Sequence, residues 1–191
     1  MEMTSDARRL IDQQMREDKI RLAAAMQSGD LPLYDASAVL KPDEKNAAEK
    51  QSGGNDDFEP CTFFFYGTLM DPEVLMVVAM LRDLPEMAEA WVDGFEMKLW
   101  SGIYPTLLPK EGAQDRIVGC AWRATTMAQC LRLQKYETSA YEPAECDIHL
   151  ASGDTVRGMT FQWARDGKSK ELCDGQFSLK HWQEHHKKPM F

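Results

Sequence analysis

The pattern of hydrophobic and polar positions changes character near residue 60. Beyond it comes CTFFFY, 61 to 66, a nearly continuous apolar and aromatic run that predicts a buried strand. Gly67-Thr68 ends the run. Asp71-Pro72 then supplies an N-cap with proline in the first helical turn, which predicts a helix over 72 to about 81. AEAWVDGFEMKLW, 88 to 100, predicts two strands about an Asp93-Gly94 turn, and IVGCAWRA, 117 to 124, a third after a loop that carries Tyr104-Pro105. Thr125 or Thr126 can cap a second helix, MAQCLRLQKYE, ending at Glu137. AECDIHL and TVRGMTFQW then flank Ser152-Gly153-Asp154, a hairpin signal. Their apolar positions alternate, Cys146, Ile148 and Leu150 in the first and Met159, Phe161 and Trp163 in the second. Two helices among about six short strands, mostly joined by hairpins, predict an α+β domain with a mainly antiparallel, barrel-like sheet.

Upstream, residues 1 to 58 read as an N-terminal extension that ends in a polar, glycine-bearing linker, EKQSGGNDD. A helix over 6 to 27 is expected there, with a thin apolar face, and LPLYDASAVL, 31 to 40, is the part able to dock on a surface. The predicted domain spans 59 to 166. Residues 167 to 191 form a tail, expected to be partly helical, with an excess of two basic charges.

Composition changes the picture only by exclusion. A net charge of −9 argues against nucleic acid or an anionic membrane as partner, because phosphate binding needs a basic face. No stretch approaches the roughly 18 apolar residues of a membrane span. The N-terminus lacks the apolar segment of a secretory signal. Five widely spaced cysteines without a C-x-x-C point to reduced thiols and a reducing cytosolic or nuclear compartment, of which the cytoplasm is the expectation.

Candidate chemistry gathers at two places. Cys130, Leu133 and Glu137 fall on one face of the second helix, so Glu137 is a carboxylate at the core end of an inward stripe. Partial burial there would raise its pKa and suit it to general acid–base work, whereas a helix end turned to water would leave it ordinary. The turn Tyr66-Gly67-Thr68-Leu69 is either a plain reversal or a nest of backbone N–H groups able to hold a carboxylate. The pattern His181-x-x-Glu184-His185 matches a zinc-peptidase signature. Only six residues follow it, too few for a distant third ligand, so a solvated helix end is the expectation.

The order YGTL (66 to 69), Tyr104-Pro105 about 35 residues on and YETSAY (136 to 141) about 70 residues on resembles the γ-glutamylcyclotransferase-like superfamily, particularly its AIG2-like branch. The likeness covers roughly residues 61 to 165. It implies a small mixed α/β barrel with a pocket at its mouth. It also implies that the backbone of Tyr66, Gly67, Thr68 and Leu69 cradles a substrate α-carboxylate, that Glu137 is the catalytic acid/base, and that Tyr104 and Tyr141 line the pocket. The implied reaction releases 5-oxoproline from a γ-glutamyl amide or peptide, without metal or organic cofactor, and places the chain in glutathione metabolism as a transferase. Two positions depart from the family pattern: Gln134 stands where an Asp is common, and Thr138 where a Gly often follows the glutamate. Some members of the superfamily lack demonstrated activity, so the alternative is a non-catalytic module that binds a small molecule or a protein.

Overall fold

The computed structural model describes residues 58–113 and 115–187. The helix expected over 6 to 27, the segment 31 to 40 and the linker lie outside the described residues. Strand β1 (Cys61–Phe65) is followed by a single 3-10 turn (Thr68–Met70) and helix α1 (Pro72–Ala79). Strands β2 (Ala88–Val92), β3 (Phe95–Trp100), β4 (Tyr104–Pro109) and β5 (Ile117–Ala124) come next, then helix α2 (Met127–Glu137). Strands β6 (Tyr141–Leu150), β7 (Thr155–Trp163) and β8 (Leu172–Cys173) and helix α3 (Leu179–His185) complete the described part.

Five strands close a barrel in the order β1-β5-β2-β6-β7, and three form a second sheet ordered β4-β3-β8. Every barrel pair is antiparallel except the joint between β1 and β7, which is parallel and makes the barrel mixed. The fold is therefore the α+β barrel with flanking helices that the strand pattern predicts.

Successive residues of a strand face opposite ways, and in β1 both faces are covered. Phe64, with Tyr66 just beyond the strand, joins Ala90, Val92, Cys146 and Ile148 in a cluster within the barrel. Phe63 and Phe65 pack with α1 and α2 residues such as Leu75, Val78 and Leu133. That double burial is why the run reads as continuous rather than alternating. Gly119 in β5 makes the interior fit: a Cβ there would lie 2.1 Å from the Phe65 carbonyl oxygen and 2.8 Å from the Phe64 ring.

Several expectations need correction. The chain does bend at Asp93-Gly94, with Gly94 at φ 77°, but β2 and β3 belong to different sheets and form no hairpin. Tyr104-Pro105 lies in strand β4, not in a loop. Two prolines disguise this strand, which tolerates them because it is the edge of its sheet, where a missing N–H costs no ladder bond. The β6–β7 hairpin starts earlier than expected, at Tyr141, and pairs Cys146 with Gly158 and Ile148 with Val156. Cys146 and Ile148 consequently face the barrel interior, while Phe161 and Trp163 face the outer cluster. Helix α1 stops at Ala79 because Met80 turns left-handed (φ 53°) and Leu81 N–H closes back on Met76 O at 2.8 Å. Beyond residue 166, β8 pairs with β3, and α3 buries Trp182 against the outer cluster. Among the described residues no helix is long and apolar enough to cross a membrane.

Candidate functional site

The turn after β1 is built by its own carbonyls. Met70 N–H donates to Gly67 O at 3.0 Å and Asp71 N–H to Thr68 O at 3.1 Å, bonds that leave the N–H groups of Thr68 and Leu69 unused within the turn. Gly67 has φ −129°, ordinary for any residue, so a left-handed conformation is not why glycine stands there. Space bears on it: a Cβ would sit 3.1 Å from Pro105 Cγ of β4, and the ring would have to give by a few tenths of an ångström. The turn is thus held against the edge of the second sheet.

Three tyrosines brace it. Tyr66 donates its hydroxyl to Phe161 O at 2.5 Å on β7, and Tyr141 donates to Pro105 O at 3.1 Å. The hydroxyls of Thr68 and Tyr136 meet at 3.0 Å, joining the turn to the end of α2. Burial pushes the phenols of Tyr66 and Tyr141 well above their ordinary range, and the Glu137 charge pushes both further. For Tyr66 a hydrogen bond with the Leu107 backbone opposes the shift without reversing it. Both phenols are consequently neutral at physiological pH, walls and donors rather than bases.

Glu137 is the last residue of α2 and is half-buried. Its capping box at the far end, Thr126 with Gln129, sets the phase of the helix, so that Cys130 and Leu133 are buried and Glu137 follows at the cleft. The next residue, Thr138, has φ 64° and ψ −173°, a region that glycine adopts freely and a β-branched residue does not. Here the departure from the family's glycine becomes a measurable strain. Thr138→Gly is expected to raise stability by about 1 kcal/mol, the relief of strain exceeding the added unfolded-state entropy. Urea unfolding of the two proteins reads this directly, and a variant less stable than wild type would show that Thr138 is unstrained.

Turn, strand and helix end enclose one cleft of about 370 Å³ including its open mouth. Tyr66, Gly67, Thr68 and Leu69 line one side of it. Tyr104, Glu137 and Tyr141 line the remainder, so all seven residues singled out in the sequence share this cleft. Pro105, Phe161, Phe64 and Phe65 complete the lining. Phe161 carried no signal beyond that of a core residue, and the meeting of Gly67 with Pro105 joins segments too far apart in sequence for any local signature.

Other histidine and cysteine side chains lie outside the cleft. His149 stacks on Trp91 at 3.8 Å, and burial pushes the Cys146 thiol up to about 12. His181 and His185 stack with ring centroids 4.2 Å apart, and among the described residues no three His, Cys, Asp or Glu side chains are grouped to hold a metal.

No curated protein matches the sequence significantly. Among solved structures, the solution structure of an Arabidopsis thaliana protein matches at 24% identity and TM-score 0.52, covering 70% of this chain and 87% of that one. A second Arabidopsis thaliana solution structure matches at 19% identity and TM-score 0.53, covering 71% and 79%. At these identities the likeness bears on the fold alone. The family model described as "Gamma-glutamyl cyclotransferase, AIG2-like" matches residues 63–184, well over half of the 191. On that match this chain belongs to the γ-glutamyl cyclotransferase, AIG2-like family.

Proposed function

We propose that this protein is a γ-glutamylcyclotransferase-like enzyme that releases 5-oxoproline from a γ-glutamyl amide or peptide. The observation that carries the reading is the convergence of the 66–69 turn and Glu137 on one cleft. The substrate's α-carboxylate would sit on the N–H groups of Thr68 and Leu69. Its α-ammonium gives a proton to Glu137, and the resulting amine attacks the γ-carbonyl carbon. A C–N bond closes the five-membered lactam, the ring nitrogen sheds a second proton, the original amide C–N bond breaks, and the departing amine leaves as its ammonium with that proton and the one Glu137 returns. Intramolecular geometry supplies much of the rate, so the site needs orientation and proton handling rather than a nucleophile. Tyr104 and Tyr141 serve as walls. No cofactor enters the reaction, and the substrate is a soluble small molecule of the cytoplasm.

Among the described residues lining the cleft, Glu137 is the one acid and none is basic. A second carboxylate on the leaving group would meet repulsion there without a compensating cation. A panel of γ-glutamylamines, γ-glutamyl dipeptides and glutathione, assayed for 5-oxoproline, is therefore expected to rank the amines first. Binding of every member with turnover of none would instead support the second reading, a module that keeps the cleft without catalysis.

A further inference from the structure

Asp71 joins three distant parts of the chain. Its carboxylate is buried, at 1% exposure, yet every side of it has a partner. Oδ1 accepts from the N–H groups of Glu73 at 3.0 Å and Val74 at 3.2 Å, which caps α1. Oδ2 accepts from Gln183 Nε2 and from Lys187 Nζ, each at 2.7 Å, and Lys187 also reaches Glu73 Oε2 at 2.7 Å. Gln183 is on α3 and Lys187 is just past its end. The Asp71 backbone N–H, in turn, closes the cleft's turn on Thr68 O. Burial alone would raise the Asp71 carboxyl, but the bonds from Lys187, Gln183 and Val74 outweigh it and hold the group below its ordinary range.

We propose that α3 and Lys187 are a positioning element of the cleft: acting through Asp71, Gln183 and Lys187 hold the 67–70 turn in the shape that presents Thr68 and Leu69 N–H groups. Only the identity of the ligand that the turn receives rests on the function proposed above. A buried Oδ2 stripped of both donors loses its compensation for desolvation. The carboxylate then rotates toward water, the N–H groups of Glu73 and Val74 lose their cap, and the turn slackens at its C-terminal end. Asp71 does not itself line the cleft, so the effect passes through the backbone rather than through contact with a ligand.

The test uses the full chain carrying Gln183→Leu and Lys187→Met together, with Lys98→Met as a control that breaks a surface ion pair to Glu96 and Asp174. Amide hydrogen exchange without ligand is expected to quicken about tenfold at Met70 and Asp71, whose N–H groups close the turn, and at the capped N–H groups of Glu73 and Val74, and to stay unchanged in β6 and β7. For 5-oxoproline release, KM is expected to rise about tenfold with kcat nearly constant, the mark of lost ground-state binding. The Lys98→Met control should match wild type in both. Unchanged exchange at these four amides, or equal acceleration throughout the barrel, would overturn the proposal. So would a loss confined to kcat. Should the wild-type protein release no 5-oxoproline, the functional reading fails, and the exchange data still decide whether α3 holds the turn.

Discussion

Glu137→Gln is expected to lower 5-oxoproline release by about 10²- to 10⁴-fold, the usual worth of positioned general acid–base help. Glutamine keeps the size and hydrogen-bonding reach of glutamate but cannot take up the α-ammonium proton. The helix that carries the residue is anchored elsewhere, by buried Cys130 and Leu133 and by the Thr126 capping box. The melting temperature should therefore barely move. Release assayed by chromatography, beside a thermal melt, separates lost chemistry from lost fold. Wild-type turnover in this variant would remove Glu137 from the mechanism and leave the binding-module reading as the better account of the cleft.

Phe64→Ala is expected to cost about 3–5 kcal/mol, lowering the melting temperature by roughly 10 °C. The Phe64 ring is fully buried in the barrel, 6.3 Å from the Tyr66 ring, in space that Gly119 leaves open. Neighbouring strands are tied by ladder bonds and cannot collapse far into the void, so the cavity penalty adds to the lost transfer energy. Because Phe64 also lines the cleft, loss of cyclisation is expected even where the variant is still folded. Chemical denaturation measures the stability term. A change below about 1 kcal/mol would mean that the barrel interior is not packed around this ring.

What was legible in the sequence follows local rules. Asp71-Pro72 announces α1, the Thr126 box announces α2, and the phase of α2 carries Glu137 to the cleft. The turn at 66–69 could be located from the end of an apolar run. What stayed hidden depends on partners far along the chain. Nothing near Asp93-Gly94 tells that β2 and β3 part into different sheets, and the prolines of β4 are harmless only because that strand lies at an edge. The close approach of Pro105 to Gly67 is likewise invisible locally, since it joins segments 38 positions apart. From the sequence, the segment around His181 is expected to be a solvated helix end. Yet one side of α3 buries Trp182, and Gln183 bonds a carboxylate 112 positions away.

The hydroxyls of Tyr66 and Tyr141 are already committed to backbone carbonyls, and both rings are buried. Freezing a mobile side chain on binding typically costs about 0.5–1.5 kcal/mol. Along these two walls that disorder was removed when the chain folded. A ligand that enters the cleft finds no rotamers there left to arrest.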